Sequence, residues 1–134
     1  MKSNAMVEAG ESLNAQNLSD LYLEINQKYY GSDMISDKQI SYEWAKIPHF
    51  YYNFYVYQYA TGISCACYIV NRILSGDKDA VSDYIKFLSC GDTLDPIESL
   101  KVAGVDITKS EVIQSAVDTF NSLIDEYRSL MDEK

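Results

Sequence analysis

From Pro48 to Gly76 the chain runs without a further proline, and this stretch constrains the fold more than any other. Apolar and aromatic side chains recur along it at three- and four-residue spacing, which predicts one long helix from Pro48 to Leu74, of about seven turns. Proline suits a first helical turn, where its missing N–H has no intrahelical partner, and glycine suits the stop. Apolar residues surround this helix on most sides, interrupted mainly by Asn53, Gln58, Asn71 and Arg72. That pattern predicts burial against several neighbouring helices or within something larger.

The flanking segments read as helices too. Asn14 is a plausible N-cap for a helix from about Ala15 to Tyr30, with Leu18, Leu21, Ile25 and Tyr29 on one stripe and Gly31 as its stop. A shorter helical stretch is expected from Asp37 to Lys46, turning Ile40, Trp44 and Ile47 inward until Pro48 interrupts it. Asp77 or Asp79 can cap a helix carrying Val81, Tyr84, Ile85 and Leu88, and Asp95-Pro96 is a cap followed by a first-turn proline. Ala103-Gly104 ends that short helix. Thr108 or Ser110 then caps a last one with Ile113, Val117, Phe120, Ile124 and Tyr127 in helical period. No segment alternates as a strand does, so the expected class is all-α, as one globular unit.

The opening residues MKSNAM look like a cloning scar, which leaves residues 7–134 as the expected folded part. Hydrophobic residues make up 47% of the chain and charged residues 23%, enough apolar material for a packed core. A net charge of -9 opposes binding to phosphate backbones, so nucleic acid is not an expected partner. No apolar run is long enough to cross a membrane, and no targeting pattern is present. Three cysteines cannot all pair within one chain, which fits a reducing, cytoplasmic setting. Cys65-x-Cys67 lacks the further ligands of a tetrahedral zinc site and reads as apolar packing.

Five of the twelve tyrosines, Tyr51, Tyr52, Tyr55, Tyr57 and Tyr59, follow directly on the only histidine, His49. On a continuous helix, with Tyr52 at zero, His49 would lie near about 60°, Tyr55 near about 300° and Tyr59 near about 340°. The four would share one face. Protonated phenols on such a face can donate hydrogen bonds to an anionic oxygen, and His49 can bind a carbonyl or move a proton. The competing reading is ordinary aromatic packing, which produces the same spacing. The pattern by itself leaves both open.

The block from Glu43 to Gly62, read as EWAKIPHFYYNFYVYQYATG, closely resembles the corresponding block of the oligoendopeptidase F family of zinc metallopeptidases. Upstream, Gly10-Glu11-Ser12-Leu13 and the segment from Asp20 through Gly31 resemble the family as well. So do Phe87-Leu88, Pro96, Gly104-Val105-Asp106 and the last amphipathic helix downstream. The resemblance implies a helical C-terminal fragment of a larger α-helical catalytic domain that hydrolyses short peptides. It further implies that His49 and Tyr52 contact substrate and that Tyr59 hydrogen-bonds the developing oxyanion, with Tyr55 a lower-ranked participant.

The family's zinc is held by a His-Glu-x-x-His helix and a further glutamate, upstream of the matching block. One histidine cannot supply two histidine ligands, so no cofactor is expected in this chain and zinc is expected only in the intact enzyme. The implied partners are an oligopeptide substrate and the missing N-terminal portion of the catalytic domain. A homo-oligomer formed through an exposed aromatic face is a further expectation. The alternative from another class is a non-catalytic helical interaction module.

Overall fold

The computed structural model describes residues 2–132. Every regular element among them is helical. The chain divides into two compact units, Met1–Val56 and Tyr57–Lys134, where the sequence led us to expect one.

The first unit contains α1 (Lys2–Glu8), α2 (Ala15–Tyr30) and two 3-10 segments, Lys38–Lys46 and Pro48–Tyr51. The helix α2 begins and ends where its caps predict. The Asn14 side chain accepts from the N–H groups of Gln16 and Asn17, and the Asn17 side chain returns a bond to the Asn14 N–H, so three of the N-terminal donors are satisfied. Gly31, at φ 75°, ends the helix in a conformation open to glycine at little cost. Lys38–Lys46 is wound as a 3-10 helix capped by the Asp37 carboxylate.

Two side-chain hydrogen bonds tie this 3-10 helix to α2. The Trp44 indole N–H donates to Ser19 Oγ at 3.0 Å, and the Tyr22 hydroxyl donates to Glu43 Oε2 at 2.9 Å. Ser19 and Ser41 are the buried residues here, while Leu18, Leu21, Ile25, Ile40, Trp44 and Ile47 are half-buried. Tyr29, expected on the packed stripe of α2, is 83% exposed instead. Residues 2–6, set aside in the sequence as a scar, lie in α1, where the Lys2 ammonium meets the Glu24 carboxylate.

The second unit comprises α3 (Tyr57–Leu74), α4 (Ala80–Ser89), α5 (Pro96–Val102) and α6 (Ser110–Asp132). Its core gathers Cys65, Ile69, Ala103, Val105 and Val112, with Tyr68, Ile73, Phe87, Leu100 and Ile107 packed around them. Cys65 is thus an apolar packing residue, and burial pushes its thiol above the ordinary range. Between α3 and α6 the seam is partly polar. The Asn71 amide donates to Ser115 Oγ and Thr119 Oγ1, both at 2.9 Å.

Arg72 ties the same unit together. Its guanidinium meets Asp77 at 2.8 Å and Asp83 at 3.4 Å, and Nη1 donates to the Ala103 carbonyl at 2.9 Å. That carbonyl lies at the end of α5, where helical partners run out. Gly104 follows at φ 74° with the guanidinium laid against its Cα, so close that a Cβ would stand 1.9 Å from Nη1. The close approach requires glycine twice over, for the backbone and for the space.

Two expectations about this unit are corrected. Helix α3 starts at Tyr57, not Pro48, and α6 is longer than α3. The apolar stripes read from α4 and α6 also do not form the core. Val81, Ile85 and Leu88 are more than half exposed, as are Ile113, Phe120 and Tyr127, whereas α6 turns Val112, Ser115, Ala116 and Thr119 inward. Helix α6 therefore carries a small-residue face toward the core and a large apolar face away from it, while α4 turns Ala80 and Phe87 inward.

Candidate functional site

The helix break between Pro48 and Tyr57 builds the site. Residues 49–56, HFYYNFYV, are all aromatic, β-branched or Asn, each a below-average helix former because χ1 freedom is lost or the side chain competes for the backbone. Eight in succession outweigh the absence of proline. The chain makes one 3-10 turn over Pro48–Tyr51 and leaves it in extended geometry at Tyr52, whose N–H donates to the His49 carbonyl at 3.3 Å.

A second turn follows at once. The Tyr55 N–H donates to the Tyr52 carbonyl at 3.1 Å, and between them Phe54 takes φ 53°. The third position of such a turn calls for glycine or asparagine. An L-residue with a bulky side chain pays about 1–2 kcal/mol to sit there. Phe54 is also 61% exposed, so burial of its ring does little to offset that strain.

The two turns bring three of the four expected site residues into contact, though not on a helical face. The His49 and Tyr55 rings stack, with centroids 5.6 Å apart and planes at 28°. Tyr52 meets Tyr55 edge-on at 5.9 Å and 64°. Tyr55, ranked last in the sequence, stands in the middle of the row. The edge-on and offset geometries are those that aromatic quadrupoles favour.

Neighbouring contacts fix the row to its unit. Tyr51 donates its hydroxyl to the Ala45 carbonyl at 3.0 Å, and Phe50 packs edge-on against Tyr22 at 6.4 Å. Burial together with the Glu43 carboxylate raises the Tyr22 phenol above its ordinary pKa, so Tyr22 stays a donor across the neutral range.

Tyr59 lies in α3, in the second unit, and is 58% exposed. The shared-face argument linking it to His49, Tyr52 and Tyr55 needed one continuous helix, which the turn at Phe54 removes. Its assignment therefore rests on the resemblance rather than on helical phase. Tyr52 is 61% exposed and His49 is exposed as well.

Among the described residues, no three His, Cys, Asp or Glu side chains are grouped to hold a metal ion. Zinc, which the family resemblance implies, is therefore not fitted by this chain's residues, the single histidine being insufficient for the motif. Nor is any helix among the described residues long and apolar enough to cross a membrane.

Comparison with known proteins gives this geometry its context. The pattern of peptidase family M3 matches residues 3–119. The chain belongs to peptidase family M3. Among M3 relatives, the oligopeptidase PepF of Bacillus subtilis is 47% identical over 92% of this chain and 18% of its own length. The plasmid-encoded oligoendopeptidase F of Lactococcus lactis is 38% identical over 93% of this chain and 21% of its own.

The crystal structure of oligoendopeptidase-F from Enterococcus faecium matches with TM-score 0.89 and 39% identity, over 97% of this chain and 25% of that one. This M3 chain thus spans about a quarter or less of the relatives it matches. The family and the all-helical class expected from the sequence both agree with these matches.

Proposed function

We propose that this chain supplies one wall of the substrate cleft in a zinc-dependent oligoendopeptidase that hydrolyses short peptides. The observation that carries the proposal is the exposed His49–Tyr55–Tyr52 ring row, in a chain of peptidase family M3 whose relatives are oligoendopeptidases. In this reading the chain is a C-terminal fragment. The metal ligands belong to the N-terminal portion of the catalytic domain, and the chain alone is inactive. Three free cysteines fit a reducing cytoplasm.

His49 and Tyr52 contact the peptide, the imidazole through a substrate carbonyl and the phenol through a hydrogen bond. Tyr59 donates its hydroxyl to the oxygen that becomes negative as the scissile carbonyl turns tetrahedral. Such a donor works because it is neutral and already oriented when charge develops. The exposed aromatic residues Tyr51, Tyr52 and Phe54 are also where two copies of the isolated chain associate.

The test is a chimera in which this chain replaces the matching stretch of the Bacillus subtilis relative. Tyr59→Phe keeps the ring and removes one donor, so turnover should fall by about 100- to 1,000-fold with little change in KM. Near-normal turnover in a folded, zinc-loaded variant removes Tyr59 from the mechanism and leaves His49 and Tyr52 to be tested separately.

A further inference from the structure

We propose that Phe54 and Tyr55 are positioning residues for His49: the left-handed backbone at Phe54 closes the turn that holds the Tyr55 ring flat against the imidazole. The inference deepens the cleft reading, on which its functional value rests, and moves Tyr55 from a lower-ranked participant to a support.

The geometry is a chain of dependence. Tyr55 reaches His49 only because residues 52–55 reverse direction, closed by the Tyr55 N–H on the Tyr52 carbonyl at 3.1 Å. The third residue of that reversal, Phe54, takes φ 53°, the sign that a type II turn has at this position. The following stack has centroids 5.6 Å apart and planes at 28°, and the edge of Tyr52 closes the far side of Tyr55 at 5.9 Å. The Tyr55 ring limits the orientations open to the imidazole on the side that it covers. Strained non-glycine backbone persists where the surroundings over-determine it, often at functional sites. Tyr55 is less exposed than Tyr52, at 37% against 61%.

His49 is the only histidine, so the chain gives a single set of imidazole proton signals, and they can be followed by NMR in the full chain. Protons held over an aromatic face resonate upfield. We expect the His49 signals upfield in the parent chain, moved downfield in Tyr55→Leu and kept upfield in Phe54→Gly, which adopts positive φ without strain. Phe54→Val should also lose the shift, because a β-branched residue resists that conformation. The Trp44 indole N–H, bonded to Ser19, reports whether the first unit stays folded.

An upfield shift that survives Tyr55→Leu overturns the proposal, as does one that survives Phe54→Val with the Trp44 signal unchanged. Should Phe54→Val disturb Trp44, Phe54→Gly decides: a retained shift supports the turn, and a lost one refutes it. None of these measurements contains substrate, so they stand or fall apart from the cleft reading. In the chimera, Phe54→Val should raise KM several-fold and leave kcat nearly unchanged, the opposite split from Tyr59→Phe. An unchanged KM with a displaced His49 signal refutes the positioning role.

Discussion

Gly104→Ala should destabilise the second unit through one identifiable clash. The new Cβ would stand 1.9 Å from Arg72 Nη1 and 2.8 Å from Cζ, so the guanidinium must leave. Arg72 is flexible, but its Nη1 donates to the Ala103 carbonyl at 2.9 Å, and Ala103 is 1% exposed. Losing a hydrogen bond from a charged donor to a buried acceptor costs about 1.5–3 kcal/mol. Placing alanine at φ 74° adds about 1–2 kcal/mol of backbone strain. The sum, about 2.5–5 kcal/mol, corresponds to a fall of about 10 °C or more in Tm for a small cooperative unit. Thermal melting followed by far-UV circular dichroism measures it. Repeating the substitution in an Arg72→Ala background isolates the clash, because only the strain of about 1–2 kcal/mol should then remain. Equal losses in both backgrounds would refute the reasoning, since the guanidinium could not be the cause.

Three further outcomes are expected. Trp44→Phe keeps an aromatic side chain but removes the five-membered half of the indole and with it the donor to Ser19 Oγ, which is buried, and should cost at least about 1–2 kcal/mol by chemical denaturation. The Arg72 guanidinium, helped by the Asp79 N–H, holds the Asp77 carboxyl below its ordinary range. A lowered folded-state pKa stabilises the fold above the unfolded value, about 4, and that stabilisation disappears as pH falls through the folded value. Asp77→Asn should accordingly lower Tm at neutral pH, with the difference shrinking to nothing in stronger acid. The chain alone, supplied with zinc, should leave a quenched fluorescent peptide uncut, and chelator-sensitive cleavage traceable to this chain would overturn the fragment reading.

What the sequence by itself determined is the local part of the structure. Asn14 and Gly31 bound α2, Asp95-Pro96 starts α5 and Gly104 ends it, because caps and stops act through the backbone of their own few residues. The all-helical class and the family were equally legible, the latter through the block around His49. Helical period also located apolar faces on α4 and α6, yet it could not say which face meets the core. Period is a property of one helix, whereas burial depends on what lies opposite: α6 turns in Val112 and Ala116 and leaves Phe120 and Tyr127 outside.

The tertiary structure alone decided the path of the backbone through the candidate site. Between His49 and Val56, weak helix propensity competes with contacts made by the same residues, and no proline marks the outcome. There the chain turns at Phe54, an aromatic residue in a conformation that sequence rules reserve for glycine or asparagine. Ring contacts among His49, Tyr55 and Tyr52, together with the anchoring of Phe50 on Tyr22, accompany that choice. Such contacts depend on how side chains meet after the chain has turned, which residue spacing along a helix does not encode.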